Sequence, residues 1–532
     1  MNLSLAVVQP GRPDVDFGII LPELILAVTG VVVMLLDAFT RRTAQRWLTG
    51  GLSLAGLAGS AAATLWLWNG ADGQVNGSAW DGMVVLDPLR LSFTLVFIAV
   101  AALTVLVSMI WVEWEGLPAG EFHTLLLFAT VGMMLMAAGN DLVMIFLGLE
   151  ILSIATYVMA GFRRSDVRSN ESSLKYFILG SFSSAFLLFG IALVYGATAK
   201  LVPGGAPMAG STNLSVIAER INDSLYPPLL FAGAAMLLIG FGFKVALAPF
   251  HVWTPDVYEG APTPVTAFMA AGPKAAGFAA FMRTFLFAFP LVAAAASSRA
   301  ATGAQLHSAW LDALWLLAIL TMTVGNVVAL VQSNVKRMLA YSSIAHAGYA
   351  LVGFVAAGAA ADPARRDDAV AAVVFYLLVY AVMNLGAFAV VTLIARSGDR
   401  RTDVEDYRGI GFQSPALSLS LSLFLLSLIG VPLTAGFMGK VVVFSEALAQ
   451  GYRLLVIIGV LNSAISVYYY LRLIVVMFFR ERTTQWQSPR IPASVAVALV
   501  LTVGGVLYLG LFPNSVINAF RAAQSGAVSI LR

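Results

Sequence analysis

Ionisable side chains interrupt several long apolar stretches of this sequence. Glu150 lies midway through one stretch, and Lys244 and Lys274 lie well inside two others. A charge at the centre of a membrane-spanning helix costs at least about 2.5–3.5 kcal/mol, so each needs a partner, water or a function. A carboxylate and an ammonium about 6 Å apart interact by about 3 kcal/mol at an effective dielectric near 20. Because burial also disfavours a charged lysine, this pattern predicts groups that exchange protons.

Three further residues belong to the candidate set. His346 lies inside an apolar stretch beside hydroxyl side chains, and histidine titrates near pH 6.5, which suits a proton relay. Lys440 lies in a proline- and glycine-containing stretch, and Lys336 begins the stretch that contains His346. Structural alternatives remain open: Glu150 as a salt-bridge partner, the lysines as packing partners, and His346 as a hydrogen-bonded core histidine. Lys336 could also extend its ammonium to the membrane surface.

The composition indicates that a bilayer surrounds these residues. The chain of 532 residues is 59% hydrophobic and 11% charged, with a mean hydropathy of +0.87. The net charge of +3 is scattered over short loops, which argues against nucleic acid binding. The absence of cysteine excludes disulfides and thiolate-held iron–sulfur clusters in this chain. No glycine-rich phosphate loop or spaced ligand set predicts a bound cofactor or metal.

Apolar runs of roughly 20 residues, the length that crosses a bilayer, recur along the chain. The predicted spans are residues 17–39, 48–69, 91–112, 123–140, 141–162, 173–198, 228–249, 262–289, 309–332, 335–357, 369–396, 413–447, 453–479 and 491–513. We number each loop by the span that it follows. All odd-numbered loops then lie on one side of the membrane, and the basic clusters fall in those loops. The positive-inside rule therefore predicts that both termini face away from the cytoplasm. The clusters contain Arg41, Arg42, Arg46, Arg163, Arg164, Arg168, Lys336, Arg337, Arg396, Arg400, Arg401, Arg408, Arg480, Arg482 and Arg490.

Two spans, the seventh and the twelfth, carry helix-breaking residues beside a lysine. Pro249 follows Lys244, and Pro432 and Gly436 precede Lys440. An offset of five spans is odd, so a five-helix unit repeated at that spacing is inverted relative to its first copy. We predict an N-terminal three-helix segment (1–122), a first five-helix repeat (123–290), a second, inverted repeat (309–480) and a C-terminal span with its tail (481–532). The functional site is expected at the broken helices.

These residues occur in motifs that resemble the antiporter-like, proton-pumping membrane subunits of respiratory complex I, and among them subunit N. The resemblance covers nearly the whole chain and is carried by residues 147–150, 242–262, 336–346 and 436–440. It implies fourteen helices with two inverted five-helix repeats. It also implies that Glu150 pairs with Lys244, that Lys274 and His346 lie on a central hydrophilic axis, and that Lys440 lies toward the exit side. Lys336 could join that axis.

The resemblance further implies a non-redox subunit of a proton-translocating NADH-quinone oxidoreductase, a translocase of the bacterial inner membrane. Other subunits would hold NADH, FMN, iron–sulfur clusters and quinone, while this chain would translocate protons. Its expected partners are the other membrane and peripheral subunits, including neighbouring antiporter-like ones, and the lipid bilayer. Two alternatives remain. A multisubunit sodium/proton antiporter shares the fold and the Glu–Lys arrangement, and a purely structural scaffold would not need lysines midway through several spans.

Overall fold

Among the residues that the structure describes, the protein is an all-α bundle of thirteen membrane-spanning helices and one broken span. The computed structural model describes residues 16–39, 42–69, 77–200, 209–224, 226–290, 300–482 and 490–525. In these residues, thirteen helices are long and apolar enough to cross a membrane: Leu21–Phe39, Trp47–Asn69, Pro88–Glu115, Ala119–Ala138, Leu142–Ala160, Val167–Ala197, Pro227–Lys244, Thr263–Ala288, Thr302–Ala329, Val335–Ala359, Pro363–Ala395, Arg453–Phe479 and Ala493–Leu511. The twelfth span consists of two shorter helices, Pro415–Ile429 and Ala435–Ala449. The predicted fold class and number of spans are confirmed. Arg41 and both termini lie outside the described residues.

Short elements connect these spans. Strand β1 (Gly77–Ala79) pairs antiparallel with strand β2 (Val84–Leu86) between the second and third spans. The turn at residues 139–141 separates the fourth and fifth spans as predicted, and the Asp141 side chain caps the fifth by accepting from the Val143 amide. The remaining helical segments are Leu214–Arg220, Ile221–Asp223, Thr254–Gly260, Ser397–Asp399, Val404–Tyr407, Ile410–Gln413 and Pro513–Ser525.

Both predicted helix breaks are present. The seventh helix ends at Lys244, and the short helix Thr254–Gly260 follows. The indole N–H of Trp253 donates to the Phe243 carbonyl at 3.0 Å, which satisfies one carbonyl that the helix end leaves open. The first half of the twelfth span ends at Gly430, whose φ of 93° is a left-handed conformation that favours glycine. The sequence therefore terminates both helices beside a lysine.

One local backbone arrangement occurs in both halves of the bundle. Asp141, which caps the fifth span, forms an antiparallel bridge with Asn213, and Asn334, which caps the tenth span, forms the same bridge with Asp403. Asn213 and Asp403 each precede a short helix. Because the two copies are five spans apart, they face opposite sides of the membrane. This agrees with an inverted repeat, whose boundaries at 123–290 and 309–480 remain predictions.

The eighth, tenth and eleventh spans form the centre of the bundle, where nearly every residue is buried. The first, sixth, ninth and thirteenth spans expose apolar side chains along their outer faces, as helices in contact with lipid or another subunit do. Lys274 and His346 lie on two of the central helices. The fold thus places these two residues in its interior.

Candidate functional site

Lys244 is buried at the C-terminal end of the broken seventh helix. Its Nζ donates to Ser153 Oγ at 2.8 Å and lies 3.5 Å from the Tyr176 hydroxyl. The rings of Tyr157 and Tyr176 have centroids 6.0 and 5.6 Å from the ammonium, within the range of cation–π attraction. Neutral oxygens and aromatic rings from the fifth and sixth spans therefore surround this lysine.

Glu150 lies one turn before Ser153 but does not contact Lys244 directly. Its Oε1 accepts a hydrogen bond of 2.5 Å from Ser184. Within the described ranges, no basic group lies within 4.0 Å of Glu150. A cavity of about 10 Å³ is lined by Ser184 and Lys244, and this is room for about one water molecule. The implied Glu150–Lys244 pair is therefore an indirect one, with Ser184 and the cavity between its members.

Lys274 projects from the central eighth span and is bound by one residue of the tenth. Its Nζ donates to the backbone carbonyl of Ser343 at 2.6 Å and to the hydroxyl of the same residue at 2.5 Å. Gly277, one turn further along the eighth span, packs on the first lysine, since a Cβ there would lie 3.5 Å from Lys244 Cγ. The eighth span thus connects the surroundings of the two lysines.

His346 lies one turn after Ser343, among aromatic hydroxyls. Its Nδ1 is 2.7 Å from the Tyr376 hydroxyl, and its Nε2 is 3.5 Å from the Tyr470 hydroxyl. Tyr470 in turn hydrogen-bonds Ser342. Because a hydroxyl both donates and accepts, these contacts suit either tautomer of the imidazole. The same contacts satisfy a structural core histidine and connect the imidazole through Tyr470 to Ser342.

Lys440 is held at the break of the twelfth span. Its Nζ donates to the carbonyls of Leu428 and Ile429 at 3.1 and 2.7 Å, and to Ser463 Oγ at 2.7 Å. These two carbonyls end the first half-helix, and the negative end of a helix dipole attracts a cation. The ammonium also lies 4.8 Å from the ring centroid of Tyr349. Lys244 is thus the last residue of its helix, whereas Lys440 projects from the second half of the twelfth span and its ammonium contacts the C-terminal end of the first half.

Lys336 is buried in an ion cluster at the odd-numbered loops. Its Nζ donates to Asp399 Oδ2 at 3.0 Å and to the Ala261 carbonyl at 2.6 Å. Arg163 Nη2 lies 2.9 Å from the same carboxylate oxygen, and Thr263 donates to the other oxygen at 2.8 Å. Burial raises the pKa of Asp399, but the charges of Lys336 and Arg163 outweigh burial and hold it below its usual value. Since these residues come from the fifth, seventh, ninth and eleventh loops, the cluster shows that these loops share one side.

A second ion network joins the linker after the seventh span to the sixth and tenth spans. Arg337 Nη1 lies 2.7 Å from Asp256 Oδ1 and 2.9 Å from Glu259 Oε2. Lys175 Nζ lies 2.8 Å from Asp256 Oδ2, and the group borders a cavity of about 180 Å³. Burial raises the pKa of Asp256, whereas Lys175 and Arg337 lower it, with a net decrease. Lys175 and Arg337 are therefore both paired with carboxylates of this linker.

Two ion pairs that the sequence did not predict lie on the opposite side of the bundle. Arg90 Nη2 lies 2.7 Å from Glu23 Oε1, and the two guanidinium nitrogens of Arg283 each lie 2.7 Å from an Asp87 oxygen. Arg283 lies inside the predicted eighth span, so the rule that singled out the lysines could have found it. Each of these buried arginines has a carboxylate partner.

The structure buries four of the six predicted residues in the interior of the bundle without a carboxylate partner within 4.0 Å among the described residues, and leaves two apart. Lys244, Lys274, His346 and Lys440 are these four, Glu150 is half-buried near Lys244, and Lys336 belongs to the ion cluster. Sequence reasoning missed the hydroxyls that bind the lysines, which are contributed by Ser153, Tyr176, Ser343 and Ser463. A hydroxyl at hydrogen-bonding distance can both receive and pass on a proton. Over the residues that the structure covers, no group of three or more His, Asp or Glu side chains could hold a metal ion.

Comparisons with known proteins identify relatives of this arrangement. Residues 139–466 match the family described as NADH:quinone oxidoreductase/Mrp antiporter, TM. A Trichlorobacter lovleyi protein named NADH-quinone oxidoreductase subunit N is 46% identical over 506 residues, which cover 95% of this chain and 96% of that protein. NADH-quinone oxidoreductase subunit N 2 of Koribacter versatilis is 45% identical over 517 residues, covering 96% of this chain and 98% of that protein.

Solved structures show the same architecture. A chain of respiratory complex I from Thermus thermophilus is 36% identical, with a TM-score of 0.73, and the match covers 94% of this chain and 99% of that one. A chain of the Mrp complex from Dietzia sp. has a TM-score of 0.78 and covers 97% of this chain and 100% of its own length. At 18% identity, the second likeness concerns the fold alone.

Proposed function

Because this chain belongs to the NADH-quinone oxidoreductase subunit N family, we propose that it translocates protons in the membrane arm of that enzyme. Partner subunits hold NADH, FMN, the iron–sulfur clusters and quinone, and this chain binds no redox cofactor. Its partners are the other membrane and peripheral subunits, including neighbouring antiporter-like ones. It resides in the bacterial cell membrane, with both termini on the non-cytoplasmic side.

The observation that carries this proposal is the contrast between two kinds of buried cation. Arg90, Arg283 and Lys336 each have a carboxylate within 3.0 Å. Lys244, Lys274 and Lys440 have only hydroxyls, carbonyls and rings, with no carboxylate within 4.0 Å in the described structure. A buried ammonium without a counter-charge loses hydration that nothing fully replaces, so a modest change in local field can alter its protonation. The first three cations each have a carboxylate counter-charge, whereas the three lysines have none among the described residues.

The tenth span contacts two of the three lysines, Lys274 through Ser343 and Lys440 through Tyr349. Ser343 binds Lys274 and lies one turn from His346. The ring centroids of His346 and Tyr349 lie 5.5 Å apart, and the Lys440 ammonium lies 4.8 Å from the centroid of the Tyr349 ring. We assign proton transfer to Lys244, Lys274, His346 and Lys440. Lys336, which the resemblance allows on the same axis, is assigned to charge compensation of Asp399.

Glu150 is assigned to coupling with a neighbouring subunit. It lies on the fifth span beside Leu147 and Ile151, which are exposed on the outer surface. A charge change in a neighbouring subunit at that surface alters the field at Glu150, and the Ser184 hydrogen bond relays the change toward Lys244. The sodium/proton antiporter alternative is less well supported, because the curated relatives at 38–46% identity are named as subunit N.

The test is Lys244→Ala in the otherwise intact complex, assayed in inverted membrane vesicles. NADH-driven proton uptake and quinone reduction are measured together, and NADH oxidation by a soluble acceptor reports how much complex assembles. We expect both coupled activities to be lost while the soluble-acceptor activity remains. Normal coupled activities would refute the assigned role and leave the chain as a scaffold.

Lys175→Ala is the matched control. Lys175 is also a lysine on a span, but it is 41% exposed and already paired with Asp256 and Glu171. Exposed ion pairs contribute about 0–1 kcal/mol, so we expect its coupled activities to change by no more than about fivefold. An equal loss in both variants would show that the effect is not specific to the buried lysine.

A further inference from the structure

A buried asparagine side chain joins the ninth, tenth and thirteenth spans. Asn326 of the ninth span is fully buried, and its Nδ2 donates to the Tyr349 hydroxyl of the tenth span at 3.1 Å and to the Met322 carbonyl of its own helix at 2.9 Å. Its Oδ1 accepts from the Tyr469 hydroxyl of the thirteenth span at 3.0 Å. A carbonyl can only accept, so the Met322 contact fixes the amide with Nδ2 toward Tyr349.

The ring of Tyr349 lies beside the ammonium of Lys440. The ring centroid is 4.8 Å from Lys440 Nζ, closer than the 5.6 Å between Lys244 Nζ and the Tyr176 ring. The face of an aromatic ring attracts a cation but not a neutral amine, and the attraction is stronger where water is excluded. Tyr349 and Lys440 are both buried. The position of this ring therefore favours the protonated form of Lys440.

The hydrogen bond from Asn326 holds the hydroxyl end of this ring. The ring also packs edge-on against His346 and Phe444, with centroid separations of 5.5 and 6.1 Å. Within the described part of the chain, Asn326 is the hydrogen-bond partner of the Tyr349 hydroxyl, and no second one is found. A buried hydroxyl without a partner is unfavourable, so loss of the amide would make the ring shift toward another partner.

Few other titratable groups face Lys440. His346 of the tenth span lies within electrostatic range of it, and Tyr376 of the eleventh packs against the half-helix that carries it. Glu446 lies further along that half-helix and is paired with an arginine of the C-terminal helix. The first half of the twelfth span and the fourteenth span carry no charged residue, and the thirteenth contributes a serine hydroxyl. Asn326 hydrogen-bonds none of these groups.

We propose that Asn326 is a positioning residue for proton transfer. By holding the Tyr349 hydroxyl, it keeps the ring beside Lys440 and so sets the pH range over which this lysine is protonated. The inference rests on the proposed function, in which Lys440 accepts and releases protons.

The test is Asn326→Leu in the intact complex. Leucine has a similar volume but no donor, so it removes the hydrogen bond to Tyr349. NADH-driven proton uptake is measured against pH in inverted membrane vesicles and scaled to the soluble-acceptor activity, which reports assembled complex. Because a displaced ring attracts the charged lysine less, we expect the midpoint of the alkaline limb to move down by about half a pH unit.

Tyr349→Phe breaks the same hydrogen bond from its other end and keeps the ring. It should give the same downward shift, and the double variant Asn326→Leu/Tyr349→Phe should shift no further, because only one bond is lost. If Asn326→Leu does not assemble, Tyr349→Phe carries the test alone.

Tyr469→Phe is the matched control. It removes another buried hydrogen bond of the same asparagine but leaves Nδ2 bound to Met322 and Tyr349, so its midpoint should equal that of the wild type. Lower uptake in Asn326→Leu with an unchanged midpoint would overturn the proposal, because it shows a structural role alone. An equal shift in Tyr469→Phe would overturn it as well.

Lys440→Ala, assayed in parallel, separates this inference from the proposed function. Normal uptake in Lys440→Ala would refute the role of that lysine in proton transfer, and the inference with it. Lost uptake in Lys440→Ala together with an unmoved midpoint in Asn326→Leu would refute the inference alone.

Discussion

Replacing Asp399 with asparagine removes the negative centre of the ion cluster. The carboxylate is 3% exposed, and it lies 2.9 Å from Arg163 Nη2 and 3.0 Å from Lys336 Nζ. At an effective dielectric of 20, a contact near 3 Å is worth about 5–6 kcal/mol before the loss of hydration is counted. Removing one partner of a buried ion pair costs about 3–5 kcal/mol, because the remaining charges stay buried. We expect Asp399→Asn to destabilise the loop after the eleventh span by that amount.

Hydrogen–deuterium exchange of the intact complex measures this effect locally. The Gly398 amide donates to Glu115 Oε1, and the Arg400 amide donates to the Ala395 carbonyl. A loss of about 3–5 kcal/mol raises the open population at least a hundredfold, since each 1.4 kcal/mol is a factor of ten. Peptides covering residues 396–409 should therefore exchange at least a hundredfold faster, up to the rate of an unprotected chain.

Glu405→Gln is the matched control for this experiment. Glu405 pairs with Arg408 in the same loop, but its side chain is 64% exposed, so its removal should cost at most about 1 kcal/mol. The Lys336→Met/Asp399→Asn double variant should lose less loop stability than the sum of the losses in the two single variants, because it removes a buried charge that Asp399→Asn leaves without its carboxylate partner. The reasoning is refuted if Asp399→Asn and Glu405→Gln exchange alike.

Three further outcomes are expected. The pKa of Asp399 in the folded protein lies below its usual value of about 3.9, so its stabilisation of the loop is complete above that pH and is lost as pH falls through the lower folded value. Pepsin should therefore cleave the loop faster as pH is lowered from 5 to 2. Constant protection of the loop down to pH 2 would contradict this expectation. Tyr176→Phe, which removes the hydroxyl 3.5 Å from Lys244, should slow NADH-driven proton uptake about tenfold. Tyr195→Phe, on the exposed face of the same helix, should leave that rate unchanged. Equal rates of proton uptake in the two variants would exclude Tyr176 from the path. Gly430→Ala and Gly451→Ala both place alanine in a left-handed conformation, which costs about 1–2 kcal/mol. Only the Cβ at position 430 would lie close to Lys440, 3.3 Å from its Cδ. We therefore expect only Gly430→Ala to lower proton uptake per assembled complex.

Much of the fold could be predicted because span length and helix breaks depend on local sequence. Apolar runs fixed the fourteen crossings, and proline and glycine near Lys244 and Lys440 indicated the two breaks. Span ends were less accurate, since the sixth span was predicted at residues 173–198 and extends over Val167–Ala197. Ionisable side chains inside apolar runs identified the buried lysines, because the cost of burying charge is visible in sequence.

The partners of these residues could not be predicted, because they depend on helix rotation and on distant contacts. Serine is ordinary in membrane helices, so nothing in the sequence pairs Ser343 with Lys274 or directs Glu150 to Ser184. The start of the tenth span suggested that Lys336 extends to the surface, but its actual partner, Asp399, comes 63 residues later. Rules for local sequence cannot show which loop folds over a charge.

In the proposed function, the small cavity lined by Ser184 and Lys244 would also limit the return of protons across the membrane. With room for about one water molecule, it holds no file of waters along which protons could drift back down their gradient. A wider opening would let protons return across the bilayer and dissipate the proton gradient even when no NADH is oxidised. Leu187 is buried and lines this cavity, so a smaller side chain there would enlarge the space beside Lys244. The tight packing of an otherwise ordinary leucine thus helps to keep the membrane charged between turnovers.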